Sequence, residues 1–250
     1  MMAETSQHQH TRRNRWRLII QIALVWATAQ VTLVTLLTWG SRRERAIVLM
    51  ADGLFLLWCV LGGWLMWRYR EPFARWVAGW RLGWQVKFIL LCTLFALIEE
   101  AVTTTMTNLA PLFGVRIGEA YITASTNYLD VVLGHSVILF VPMFAAWAWM
   151  LSRWSFRPAS VMVLFGLTGT LAETVSFGWH NLLGWGFWLM VYGLMVYLPA
   201  YAVRDNVGKH PPRPKHYVMA VLLPFAFAAP VAGLVGYLHP VKIHFPQVGS

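Results

Sequence analysis

The chain has 250 residues, of which 58% are apolar and only 12% charged, and its mean hydropathy is +0.55. A soluble domain carries about twice that share of charge, so composition excludes one and predicts an all-α polytopic membrane protein. The net charge of +10 predicts no nucleic-acid partner, because the basic residues sit in short runs between apolar segments, as cytoplasmic loops do.

Residues 1–15 form a polar, basic segment containing His8 and His10, and are expected to be a cytoplasmic tail. Arg12-Arg13-Asn14-Arg15 followed by an apolar run resembles a signal peptide. The run continues to Trp39, which predicts an uncleaved first helix. Seven apolar stretches follow at about 17–39, 46–67, 87–107, 134–152, 159–179, 182–203 and 217–238, each near the ~20 residues a bilayer needs. The expected organisation is one transmembrane bundle over 16–238 with a short extracytoplasmic tail at 239–250. Cys59 and Cys92 lie inside apolar runs and read as buried, inert thiols.

Loop charge predicts orientation. Basic connections at 68–81, 153–157 and 204–216 place the N-terminus in the cytoplasm of a cell-membrane protein and the C-terminus outside. One segment conflicts: Ser41-Arg42-Arg43-Glu44-Arg45 is basic yet falls on the outer side.

Between the third and fourth spans, Glu119, Thr123, Asn127 and Asp130 recur at helical spacing. They predict an amphipathic helix over 118–133, lying at the outer interface or running directly into the fourth span, with a re-entrant piece as the alternative. Pro142 is expected to kink the fourth span. Trp185, Trp188 and Tyr192 read as packing. His210, His216, His239 and His244 fall in loops and suggest no role.

The third span carries the main chemical signal, Glu99 and Glu100, with no Lys or Arg between Phe88 and Val115. Carboxylates in hydrocarbon cost several kcal/mol and are functional by default. The two point roughly 100° apart on a helix, so each addresses a different neighbour. Thr103 shares a face with Glu99, and Thr104 and Thr107 share one with Glu100; their hydroxyls can donate to the carboxylates. The topology brings Asp52, Asp130, His135, Glu173 and His180, with Asn181 beside it, to the same outer depth. Carboxylates with neutral imidazoles can hold Zn or Fe. Glu100, His135, Glu173 and His180 are the candidate ligands. Glu99, Glu100 and Glu173 are the candidate catalytic acids and bases. Thr103, Thr104, Thr107, Asp130 and Asn181 would support them.

Blander readings stand beside each of these. The Glu pair can be a hydrogen-bonded link between helices. The two histidines can be satisfied locally at an interface, and Asp130 and Glu119 can form a solvated helix face.

The Glu-Glu pair, a later His, and a His beside Asn superficially resemble the CAAX-protease-like membrane hydrolases. That family has Arg where Thr104 stands and Phe where Val131 stands. It spaces its last His and Asn by four, whereas His180 and Asn181 are adjacent. Membership does not follow from so short an overlap.

The leading expectation is a metal-dependent intramembrane hydrolase acting on a lipid or membrane peptide at the outer leaflet. Two others stand beside it: a proton- or cation-coupled transporter, and a non-catalytic subunit of a larger membrane complex, holding haem or pigment. The bilayer is the expected partner, with a homo-oligomer or a membrane complex as further ones.

Overall fold

The computed structural model describes residues 2–241 and 243–245, with side chains from residue 15 onward. The expected tails at 1–15 and 239–250 therefore lie partly outside the described residues. Among the described residues there are helices and no strands, as composition predicts.

Helix α1 spans Met2–Thr38. After a turn, α2 (Arg42–Leu54), a wider π-helical segment (Phe55–Gly62) and α3 (Gly63–Ala78) run on as one continuous rod. α4 is Trp84–Asn108. A long connection then leads to α5 (Tyr128–Gly134) and α6 (Val137–Arg153). α7 is Pro158–Phe177, α8 is Trp185–Ala202 and α9 is Pro214–Leu238. α7 and α9 each begin on a proline, whose fixed φ and missing N–H suit the first helical position. Among the described residues, five helices are long and apolar enough to cross a membrane, or six if α5 and α6 form one bent span. α4, which carries Glu99 and Glu100, is not among these.

Two local expectations are corrected. The amphipathic helix over 118–133 does not form: residues 118–126 are turns, and only Tyr128–Gly134 is helical. The cause is local hydrogen bonding by short polar side chains, which competes with helix. The Thr123 hydroxyl donates to the Ser125 carbonyl, the Asn127 N–H donates to Ser125 Oγ, and Asn127 Oδ1 caps α5 by accepting from the Leu129 N–H at 3.0 Å. Gly118 also sits at φ +86°, a left-handed turn position. The second correction concerns the bend in the fourth hydrophobic segment. It lies between α5 and α6, at 45°, and not at Pro142, which sits inside the continuous α6. There the N–H groups of His135 and Ser136 both converge on the Val131 carbonyl at 3.0 Å. That closes α5 before α6 begins.

α7 and α8 are the central pair: 61% and 67% of their apolar windows are buried, against 11% and 17% for α1 and α9. Their closeness depends on missing side chains. A Cβ at Gly166 would stand 2.5 Å from the Leu189 carbonyl oxygen, and one at Gly193 2.7 Å from that of Met162. Small residues of this kind let membrane helices approach backbone to backbone. Phe88, Phe144, Trp147 and Phe165 are buried in the core; α4 packs against α8, and α6 meets the pair through Phe144 on Phe165 and Phe140 on Tyr192. The outer faces of α1, α3 and α9 expose Leu, Val and Trp, including Val25, Leu36, Trp64 and Val218. Exposed apolar surface of this extent fits a lipid environment.

The bundle has two distinct ends. At one, Arg204 pairs with Glu71 at 3.2 Å, the Tyr201 hydroxyl donates to Glu71, and the Ser155 N–H donates to the His210 carbonyl at 2.9 Å. At the other, the 38–42 turn meets the 109–127 connection: Arg42 donates to the Gly114 carbonyl, and Arg42 and Arg43 act electrostatically on Glu119. The Arg45 guanidinium lies 5.6 Å from the Trp39 ring. Of the basic Ser41–Arg45 segment, Arg42 is thus tied to the neighbouring loop and Arg45 to Trp39 of its own turn, donating to that residue's carbonyl at 3.1 Å.

Candidate functional site

Glu99 and Glu100 sit on the buried half of α4, at 4% and 9% exposure. Glu173 comes from α7, half-buried, and accepts a hydrogen bond from the Tyr192 hydroxyl of α8. The three carboxyls lie within electrostatic reach of one another, and Tyr192 within reach of all three. Three helices therefore bring three acids and a phenol to one place. Gly169 makes this possible. It lies one turn before Glu173, and a Cβ there would stand 2.1 Å from Tyr192 Cδ2, so the ring occupies the missing side chain's space.

The threonines divide. Thr103 Oγ1 donates to Glu99 Oε1 at 2.9 Å. Thr104 Oγ1 is buried without a hydrogen-bond partner, as is Glu100 Oε2. Thr107 Oγ1 turns away from the acids and accepts the Ile122 N–H at 3.3 Å. Ser136, at the α5–α6 break, reaches the Glu100 carboxyl, and Tyr128 lies close enough to feel its charge. On the far side, Cys59 of the π-helical segment lies close to Glu99. Such wide turns recur at functional sites. Both cysteines are free and buried.

The remaining candidates lie elsewhere. His180 is exposed on a short 3₁₀ turn, with Asn181 Nδ2 3.3 Å from its Nε2. Asp52 accepts from the Thr35 hydroxyl of α1 at 2.8 Å. His135 and Asp130 stand together, but with a residue that showed no role in the sequence: His244 Nδ1 lies 2.8 Å from Asp130 Oδ2, and the His135 and His244 rings meet edge-on with centroids 5.2 Å apart. One ligand atom from each of the three lies within 4.8 Å of the others. The set is one residue away from Glu100's neighbour Ser136.

Two participants had no readable signal. His244 is 114 residues from Asp130 in the chain, and no spacing rule links them. Tyr192 reads as one member of an aromatic series, and only the fold shows its hydroxyl on Glu173.

Two buried polar atoms of one centre, Glu100 Oε2 and Thr104 Oγ1, have no hydrogen-bond partner among the described residues. Buried groups of this kind are rare unless an ion, a water or a proton completes them. Arg204 forms its ion pairs elsewhere, with Glu71 and Asp205, and His244 meets Asp130 by a hydrogen bond. The chain matches no known family model, no curated protein and no solved structure.

Proposed function

We propose that this chain is a seven-span cell-membrane carrier, N-terminus in the cytoplasm and C-terminus outside, that couples its cargo to protons or a small cation at Glu99, Glu100 and Glu173. The carrying observation is the gathering of these carboxyls from α4 and α7 with Tyr192 of α8. Acids inside a membrane bundle mark proton relays and ion sites. Close carboxyls repel when ionised, so a proton or a cation entering between them relieves a real cost. Glu100, with a free buried oxygen, is the group best placed to receive it. Seven spans follow if α4 crosses beside α7 and α8 and if α5 with α6 makes one bent span.

The test is reconstitution into proteoliposomes with imposed proton, Na+ or K+ gradients and a panel of small solutes. The reading expects gradient-dependent flux in the wild type and its loss in E100Q. Gradient-dependent flux that E100Q leaves intact, or none at all, overturns it.

A second reading, the metal-dependent intramembrane hydrolase, draws on the Asp130–His135–His244 group, with Ser136, next in the chain to His135, reaching the Glu100 carboxyl. Glu100 would then be the general base for a water attacking a lipid or membrane peptide. Release of lipid or peptide fragments by the purified chain, absent in E100Q, would support this reading over the carrier.

A further inference from the structure

We propose that Asp130, His135 and His244 form a divalent transition-metal site, with Zn2+ as the natural occupant, which fastens the C-terminal tail to the outer loop. The proposal is independent of the carboxyl centre, because it uses none of Glu99, Glu100 or Glu173.

The ligands come from three differently supported pieces of backbone. Asp130 stands in the first turn of α5, held by the Asn127 cap. His135 terminates α5 at the break, with its N–H on the Val131 carbonyl at 3.0 Å. His244 is brought in by the tail, which docks on the loop: its N–H donates to the Ala124 carbonyl at 2.8 Å, and Phe245 stacks on Tyr121 with centroids 4.4 Å apart. The tail is therefore registered against the loop at the residue that supplies the third ligand.

The chemistry of the donor set fits. Two imidazoles and one carboxylate are a zinc set that leaves a fourth position for water. Zn–N and Zn–O bonds of about 2.0–2.2 Å put tetrahedral ligand atoms roughly 3.3–3.6 Å apart. The present separations, all within 4.8 Å, need only small side-chain rotations, with the 2.8 Å contact between His244 Nδ1 and Asp130 Oδ2 opening to admit the ion. His135 Nε2 is the independent sign of a missing partner: it is buried and makes no hydrogen bond among the described residues. A histidine serving only to satisfy its neighbours would have spent that nitrogen. Ser125, itself buried, reaches Asp130 from behind, as outer-shell donors do to metal-bound carboxylates. All three ligands are partly exposed, which leaves a path for the ion to enter.

The experiment uses the full chain in detergent, stripped with a chelator and titrated with Co2+, whose intense visible bands report tetrahedral nitrogen and oxygen ligation, and then with Zn2+ in competition. The proposal expects one equivalent of Co2+, displaced by Zn2+. It also expects affinity to fall about tenfold or more in H135Q and in H244Q. H244Q decides the matter, since a tail substitution leaves the bundle to fold and its helix content can be checked by circular dichroism. Bands that persist in a folded H244Q overturn the proposal, as does a wild type that binds no Co2+.

Discussion

At the scale of single residues, the account rests on atoms that are buried and short of partners. Gly169 is a sharp test of the carboxyl centre's construction. Its Cβ would overlap the Tyr192 ring at 2.1 Å, and that ring cannot move without releasing Glu173. G169A should lower stability by about 1–3 kcal/mol, as overpacking does, measured by thermal unfolding in detergent. Y192F keeps the ring and removes only the donor. It should leave helix packing intact while costing about 1–3 kcal/mol if it strands a charged Glu173. A Y192F protein as stable and as active as wild type would detach Tyr192 from the centre.

Glu119 supplies a pH signature outside the membrane segments. The Arg116 N–H donates to it at 3.0 Å and, with Arg42, Arg116 and Arg43 nearby, holds its pKa below the usual glutamate value. A lowered folded pKa means that the tie stabilises fully above the ordinary glutamate range. It is lost as pH falls through the folded value. Amide protection at the 114–119 turn, taken relative to the intrinsic exchange rate at each pH, should therefore fall on acidification, and E119Q should remove that dependence. An identical pH profile in E119Q would contradict it.

At the scale of elements, the long apolar helices were readable and the connection between α4 and α5 was not. Apolar runs of near bilayer length are legible because lipid leaves the backbone no choice but helix. Between Asn108 and Tyr128, the same polar residues that recur at helical spacing also bond their own backbone, and the local option wins. A four-three periodicity cannot distinguish these outcomes, because it counts positions and not hydrogen bonds. The bend misassigned to Pro142 has the same origin: proline is tolerated within α6, whereas convergence of two N–H groups on Val131 is invisible in the sequence. N127A should cost about 1 kcal/mol by removing the α5 cap, read as faster amide exchange confined to α5. Unchanged exchange would show the cap to be idle.

At the scale of the whole molecule, the candidate site was half legible. Glu99, Glu100 and Glu173 were marked by charge in an apolar setting, and the fold brings those three together. The histidines were not sorted, since shared depth does not decide which helices are neighbours. His135 turned to the tail and His180 to the surface. The bundle thus holds a buried acid centre between α4, α7 and α8, and a separate Asp–His–His group where loop and tail meet. The central claim is that the three acids form one responsive unit. Infrared difference spectroscopy on the reconstituted chain, recorded while exchanging pH or Na+, reads carboxyl groups directly. The account predicts reversible carboxyl bands that diminish in E99Q, E100Q and E173Q alike, with each substitution shifting what remains of the other two. Difference spectra of the wild type and the triple variant that coincide would contradict it.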